Sequence, residues 1–233
     1  MWNREMSAQH TADISALLEA NRKWADECVA KDSSYFSKLA GSQAPEYLYI
    51  GCADSRVAPA SLFNMGPGEI FVQRNVGNLV SNKDLNCMSC LEYTVDHLKV
   101  KHILVCGHYN CGACKAGLVW HPKTAGVTNL WISDVRDVRD KNAAKFQGLS
   151  AGDAWDKMVE LNVEAQVFNV CASPIVQAAW ARGQPLSVHG LVYTPGTGLM
   201  KELIKPIRGM EDAENLLAAD LKQHCSFSES LEH

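Results

Sequence analysis

The sequence predicts an α/β fold in which a mainly parallel β-sheet is flanked by helices, and three observations support it. Short apolar runs alternate with helical stretches along the chain. Two of these runs are continuously apolar, as in strands buried on both faces. The 233 residues are 47% hydrophobic and 21% charged, which is typical of a globular protein with a large core. No linker or repeat interrupts the chain, so we expect residues 1–233 to form a single domain.

The first predicted element is an amphipathic helical arm over about residues 11–40. Ile14, Leu17 and Leu18 begin an apolar stripe at helical spacing, and this stripe needs a partner surface to cover it. The strands predicted after it cover residues 47–52, 70–72, 102–107 and 186–193. The runs at 47–52 and 102–107 are continuously apolar and are therefore expected to be buried on both faces.

Helices are predicted between these strands. One covers residues 85–98, and a long one follows Ser150, where a serine three residues before an aspartate resembles a capping box. Another begins at Ser173, with a proline in its first position, and ends at Gly183. We expect a polar tail from about residue 222.

Charge, hydropathy and cysteine content exclude several classes of protein. The formal net charge is −4 and no basic stripe is present, which argues against nucleic-acid binding. No apolar run approaches the roughly 18 residues of a membrane span, and the first residues are not those of a secretory leader. The nine cysteines are odd in number and lie mostly in apolar segments, as in a reducing compartment. We therefore expect a cytoplasmic protein, and a trimmed organellar form fits equally well.

A metal site is predicted where two of the strands end. Cys52 closes the strand at 47–52, and His108 and Cys111 follow the strand at 102–107. Because ligands gather beyond the carboxyl ends of parallel strands, these side chains are expected to meet. Two thiolates and one imidazole suit zinc and leave its fourth position open for chemistry. Asp54 and Arg56, shortly after Cys52, form a polar pair beside the end of an apolar strand, where burying charged groups is costly. This cost indicates that the pair has a function.

Two other interpretations of the second segment stay open at this point. Cys111 and Cys114 form a Cys-x-x-Cys sequence in an α/β context, which is also the pattern of a dithiol redox protein. Alternatively, Cys114 completes a closed structural zinc site with four ligands. The redox interpretation leaves Asp54 and Arg56 without a function, whereas an open zinc site uses both.

Taken together, these motifs resemble those of the β-class carbonic anhydrases, over about residues 14–203. The resemblance lies in Cys-Ala-Asp-Ser-Arg at 52–56, Pro-Gly-Glu at 67–69, Phe-Val at 71–72, Arg-Asn-Val at 74–76 and Gly-His-Tyr-Asn-Cys-Gly at 107–112. It implies reversible hydration of carbon dioxide to bicarbonate and a proton, through a hydroxide on one Zn²⁺ per subunit. It also implies a homodimer or a dimer of dimers, with the helical arm packed on the neighbouring subunit.

The same resemblance implies individual roles. Cys52, His108 and Cys111 would hold the zinc, with Asp54 and Arg56 as a catalytic pair. The implied lining of a narrow substrate pocket consists of Gln43, Phe71, Val76, Tyr93 and Gly112. An alternative within the same zinc set is the hydrolysis of CS2 or COS, which related proteins carry out.

Some members of this family are inhibited by bicarbonate that binds near the active site. The corresponding positions here are Tyr49, Arg74 and Tyr193. The regulated members usually have tryptophan where this chain has Tyr49, and this departure places the bicarbonate site in doubt. We therefore predict a permanently open site without regulation by bicarbonate.

Overall fold

The computed structural model describes residues 14–119 and 126–216. The chain divides into two compact units, residues 1–43 and residues 44–233. Residues 11–13 of the predicted arm and the predicted tail from 222 lie outside the described residues.

The N-terminal unit consists of two helices, α1 (Ile14–Lys31) and α2 (Tyr35–Leu39). Asp32 ends the first helix and starts the turn between them, since its Oδ1 atom accepts hydrogen bonds from the backbone N–H of Ser34 at 2.9 Å and from its hydroxyl at 2.6 Å. The Trp24 and Phe36 rings then meet edge to face at 5.6 Å between ring centres. The predicted helix of the arm is confirmed, and none of its residues is buried.

A five-stranded sheet forms the centre of the second unit. Its strands are β1 (Tyr47–Cys52), β2 (Ile70–Asn75), β3 (His102–His108), β4 (Ser187–Thr194) and β5 (Leu199–Ile207), in the order β2-β1-β3-β4-β5. The first four are parallel and β5 is antiparallel to β4. The predicted α/β fold with a parallel-rich sheet is thus confirmed, and the two most apolar strands lie next to each other inside the sheet.

Strand β5 was not predicted from the sequence. It is an edge strand with mostly exposed or half-buried residues, so it lacks the continuous apolar run that marks β1 and β3. Pairing with β4 from Val188 to Thr194, rather than a local pattern, defines it.

The helices that cover the sheet confirm most of the predicted boundaries. They are α3 (Pro59–Leu62), α4 (Leu85–Glu92), α5 (Gly112–Leu118), α6 (Val127–Trp131), α7 (Ser133–Lys141), α8 (Ala151–Cys171) and α9 (Pro174–Ala181). Ser150 caps α8 by accepting the Asp153 N–H, and Ser173 caps α9 in the same way. The helix predicted over 85–98 is α-helical only to Glu92, and a π-helical turn over Tyr93–His97 continues it.

Helix α8 packs closely on β3 next to the predicted metal site. A Cβ atom built on Gly107 would lie 2.6 Å from Cγ2 of Val163 and 3.3 Å from Cγ1 of Val159. Glycine at 107 therefore lets the helix approach the strand one residue before His108. The valines of α8 that face the sheet are fully buried, as the predicted apolar stripe requires.

Candidate metal centre

The three predicted ligands meet at the carboxyl edge of the sheet. Cys52 is the last residue of β1 and His108 the last residue of the neighbouring strand β3, while Cys111 directly precedes α5. One ligand atom from each residue lies within 4.8 Å of the other two, and all three residues are buried. Parallel strands end at one edge, so two residues 56 positions apart become neighbours.

A tight turn brings Cys111 back towards His108. The Tyr109 N–H donates to the Tyr193 carbonyl at 2.9 Å, which continues the β3–β4 ladder by one residue. Asn110 then takes a left-handed conformation with φ of 59°, which asparagine accepts more readily than most residues. This reversal points the Cys111 side chain into the site just before the helix begins.

The environment of His108 leaves one ring nitrogen for a metal. Its Nδ1 atom lies 3.0 Å from the Tyr109 carbonyl, which fixes the proton on that nitrogen. Its Nε2 atom is buried and has no hydrogen-bond partner among the described residues. A buried imine nitrogen without a partner is costly, and a bound metal ion would satisfy it.

The two thiols also fit a cation. The adjacent Cys111 thiol, followed by burial, raises the pKa of Cys52 to about 12. The adjacent Cys114 thiol raises the pKa of Cys111 to about 12 in the same way. Two thiolates this close would repel each other in the absence of a metal, so a divalent cation is needed to hold both in their charged form near neutral pH.

Cys114 is buried in α5 beside Cys111, but it is not part of the three-ligand cluster. All eight cysteines among the described residues are free thiols. The described ligand set is therefore two cysteines and one histidine, which leaves one tetrahedral position open.

Asp54 and Arg56 form a tightly held pair at the rim of this cluster. The backbone N–H and Nε–H of Arg56 both donate to Asp54 Oδ1 at 2.9 Å, and its Nη2 donates to Oδ2 at 2.7 Å. These hydrogen bonds hold the pKa of Asp54 well below its usual range, so the carboxylate is ionised at neutral pH. Its Oδ2 atom lies 3.7 Å from Nε2 of His108, next to the ligand cluster.

Arg74 does not present a free guanidinium. Its Nε donates to the Cys52 carbonyl at 2.9 Å and its Nη2 to the Asp54 carbonyl at 2.7 Å. Arg74 thus stabilises the backbone conformation between Cys52 and Asp54.

The other two positions named for bicarbonate lie in a small apolar cluster that includes Cys106. Tyr49 is fully buried, and a Cβ atom on Gly51 would come within 2.2 Å of its ring. Tyr193 is also buried. Nothing in these contacts tests bicarbonate binding, and the predicted lack of regulation stays a prediction.

The predicted pocket residues lie in different elements: Phe71 is in the edge strand β2 and Val76 follows it directly. The Phe71 and Tyr93 rings lie 6.0 Å apart, and Tyr93 and Val76 are each exposed by more than 40%. Gly112 begins α5 with open space where a side chain would project. Gln43 is exposed at the end of the N-terminal unit. Their contribution to a substrate pocket stays a prediction.

Sequence reasoning missed three side chains that donate hydrogen bonds to backbone carbonyls near the site. The indole N–H of Trp155 donates to the Cys111 carbonyl at 2.8 Å, and that of Trp131 donates to the Val76 carbonyl at 2.7 Å. Asn162, fully buried on α8, donates to the Gly77 carbonyl at 2.9 Å. The one available signal was a buried amide in the apolar stripe of α8.

Among the described residues, no helix combines the length and apolar character needed to cross a bilayer. The fold and the site together define an α/β protein with a buried group of two cysteines and one histidine that could hold a metal ion, at the carboxyl edge of a parallel sheet.

Comparison with known proteins identifies the family. The profile of the carbonic anhydrase family matches residues 47–200, and the chain belongs to the β class of this family. It is similar to a carbonic anhydrase of Emericella nidulans, with 41% identity over 188 residues that cover 80% of this chain and 82% of the relative.

Comparison with solved structures supports the same family. The chain is similar to a Coccomyxa β-carbonic anhydrase in complex with acetazolamide, with 90% identity, a TM-score of 0.87, and coverage of 95% of this chain and 100% of the other. It is also similar to one of two tetrameric β-carbonic anhydrases from Sordaria macrospora, with 37% identity, a TM-score of 0.79, and coverage of 83% and 98%.

Proposed function

We propose that this chain is a zinc enzyme that interconverts carbon dioxide with bicarbonate and a proton. The observation that carries the proposal is the buried Cys52–His108–Cys111 cluster with an ionised Asp54 3.7 Å from its histidine. Zinc held by these three ligands would supply a Lewis acid that lowers the pKa of a water molecule towards neutrality. Two thiolates, an unpartnered imidazole nitrogen and an open fourth position are a donor set suited to that ion.

Asp54 is proposed to orient the attacking oxygen. Its Oδ2 atom lies 3.7 Å from Nε2 of His108 and would accept a hydrogen bond from the nucleophile, which directs an oxygen lone pair at the carbon of carbon dioxide. A group without a proton to donate would be repelled by the carboxylate. Asp54 thereby selects which molecules occupy the open position.

Arg56 is proposed to keep Asp54 in that role. Its two-pronged contact holds both carboxylate oxygens, and its Nη2 also donates to the Asn110 carbonyl at 3.2 Å, in the turn between two ligands. The carboxylate is therefore held at a constant position relative to the cluster and does not swing onto the metal.

The apolar edge near the site suits an apolar, linear substrate. Phe71, Val76 and Tyr93 would line the approach of carbon dioxide, as their counterparts are implied to do by the resemblance, with Gly112 completing the pocket. The ligands are buried, so the protein shields the metal side from bulk water.

The deciding experiment measures the initial rate of carbon dioxide hydration by stopped flow with a pH indicator, normalised to the zinc content of the same sample. We expect one zinc per chain and a fast rate. The Cys52→Ser variant is expected to lose both the metal and the activity, whereas Cys87→Ser, a buried thiol outside the cluster, keeps both. Full zinc with no hydration would contradict the proposal, and turnover of CS2 or COS by that sample would identify the alternative hydrolase.

Self-association is part of the proposal. Helix α1 exposes five apolar residues, Ile14, Leu17, Leu18, Trp24 and Val29. One related structure is described as tetrameric. We propose that the helical arm packs on a second copy of the chain in a homodimer or a dimer of dimers.

Sedimentation equilibrium tests this assembly. Replacing both Leu17 and Leu18 by serine is expected to shift the protein towards the monomer, whereas Lys23→Ser on the same helix leaves the assembly unchanged. A double variant with the assembly of the unaltered protein would refute the role of the arm.

A cytoplasmic location is proposed on the eight free thiols among the described cysteines, which a reducing compartment preserves. Fractionation of cells with a specific antibody checks it, and recovery with an organelle would favour the trimmed form.

A further inference from the structure

Helix α5 begins directly after the ligand residue Cys111 and is a weak helix by itself. It has seven residues, Gly112–Leu118, and both Gly112 and Gly117 are glycines. A helix of this length is marginal in water, and each glycine lowers its stability further. Cys111 is its N-cap residue, with φ of −68° and ψ of 121°, and makes no side-chain capping hydrogen bond. Contacts from other elements must therefore fix the start of α5, and with it the direction of the Cys111 side chain.

Trp155 of α8 supplies such a contact. Its indole N–H donates to the Cys111 carbonyl at 2.8 Å, and the same oxygen accepts the Lys115 backbone N–H at 3.1 Å in the first turn of α5. The Cys111 carbonyl thus accepts one hydrogen bond from within the helix and one from outside it. A change of ψ at Cys111, which would swing its side chain relative to α5, breaks both.

The side chain of Lys115 contacts the same indole ring from its face. The Nζ atom lies 4.5 Å from the ring centre, within the range of a cation–π interaction. Lys115 is four residues after Cys111, so the ring of Trp155 is attached to the first turn of α5 at two points. A cation over the ring also withdraws electron density from the indole, which makes its N–H a stronger donor to the Cys111 carbonyl.

The other end of α5 is fixed independently of Trp155. A Cβ atom on Gly117 would lie 2.5 Å from Cγ1 of Val135, so α5 and α7 are in close contact there. Arg139, also on α7, donates from Nη1 to the Gly117 carbonyl at 2.9 Å. Loss of the contact with Trp155 would therefore leave the end of α5 in place and release only its first turn, which follows Cys111.

We propose that Trp155 and Lys115 are positioning residues that fix the first turn of α5 and so keep the Cys111 thiol directed at Cys52 and His108. The inference rests on the proposed function, since it requires that Cys111 bind the metal. A ligand whose backbone is held in place rebinds the ion readily after a transient dissociation, so this contact slows loss of the metal. Both residues act on the metal centre only through Cys111.

The first test uses the Trp155→Phe variant, which keeps an aromatic ring beside Lys115 and loses the indole donor. We expect zinc transfer to a chelator to be about tenfold faster than in the unaltered protein, at the lower end of the effects of outer-shell changes. In the cobalt-substituted variant, the d–d absorption bands should lose intensity, because a loosely held thiolate departs from tetrahedral geometry.

Trp180→Phe is the matched control. Its indole donates to the Leu186 carbonyl at 2.9 Å, just before β4, and the loss of this bond is expected to change neither quantity. A transfer rate and spectrum equal to those of the unaltered protein would overturn the role of Trp155. Equal acceleration in the two variants would also overturn it, because it would reflect a general loss of stability.

A second test uses Lys115, an exposed residue whose replacement leaves the core intact. Lys115→Met removes the ammonium group and is expected to speed zinc transfer about two- to fivefold, as the loss of an exposed cation–π contact predicts. Lys115→Arg keeps a cation over the ring and should transfer zinc at the unaltered rate. A Lys115→Met variant with the unaltered rate would refute the part assigned to Lys115. Failure of the unaltered protein to bind zinc or cobalt would instead contradict the proposed function.

Discussion

Replacement of Asp54 by asparagine tests the centre of the proposed chemistry with a change of one atom. In the carboxylate, Oδ1 accepts two hydrogen bonds from Arg56 and Oδ2 accepts a third. The amide keeps its oxygen at the Oδ1 position, where two donors point at it. Its NH2 group then takes the Oδ2 position, 2.7 Å from a guanidinium donor and 3.7 Å from Nε2 of His108. The variant therefore presents a donor where the reaction needs an acceptor.

The size of the effect follows from that exchange. A hydrogen bond involving a charged group contributes about 1.5–3 kcal/mol, and the variant loses the one to Oδ2 and adds a donor–donor repulsion. Removal of a single preorganised polar group from an active site costs about 10²–10³-fold in rate, or roughly 3–4 kcal/mol. We expect a loss of that order in the hydration rate. Zinc content should stay at one per chain, because Asp54 is not in the ligand cluster.

The assay is the stopped-flow hydration rate divided by the zinc measured in the same sample. Asp140→Asn is a suitable control, because Asp140 also pairs with an arginine, at 2.8 Å, but on an exposed surface. The control is expected to keep the full rate. An Asp54→Asn variant with an unchanged rate would show that the carboxylate does not orient the nucleophile, and one without zinc would show that Asp54 is needed to retain the metal.

Three further predictions concern packing, pH and the metal. Gly107→Ala is expected to lower the free energy of unfolding by about 1–3 kcal/mol through overpacking. In the double variant, Val163→Ala should offset at least about 1 kcal/mol of that loss, because it removes the methyl group that a Cβ on residue 107 would meet at 2.6 Å. Losses that simply add in urea unfolding would contradict this close approach. Burial alone would raise the pKa of Glu160, but three hydrogen-bond donors outweigh it and lower the value to about 2. Its stabilisation is therefore complete above the ordinary pKa near 4.5 and is lost as pH falls towards 2, so Glu160→Gln should remove about 1–2 kcal/mol at neutral pH and flatten the acid limb of the stability curve. The neighbouring thiols and burial raise the pKa values of Cys52 and Cys111 to about 12, so zinc uptake at pH 8 should release one proton from each thiol, in addition to any proton lost by a water molecule on the metal. Calorimetry in buffers of different ionisation enthalpy counts these protons, and a total below two would show that at least one thiol was already ionised.

The sequence predicted the features that depend on local pattern. The apolar runs that became β1 and β3, the caps at Ser150 and Ser173, and the stop at Gly183 follow from residues within a few positions of each other. Strand β5 was not predicted, because its stability depends on pairing with β4 and its exposed edge position leaves no apolar run in the sequence.

By itself, the sequence determined which residues could bind a metal, since thiol and imidazole chemistry and the ends of apolar strands are both visible in it. Only the tertiary structure decided how those residues are held. Trp155 is 44 positions from the Cys111 carbonyl that it contacts, and Asn162 is 85 positions from its partner. Such hydrogen bonds depend on how helices pack across the ends of a sheet, and no local spacing encodes that distance. The identity of the ligands is thus a property of the chain, whereas the environment that tunes them is a property of the fold.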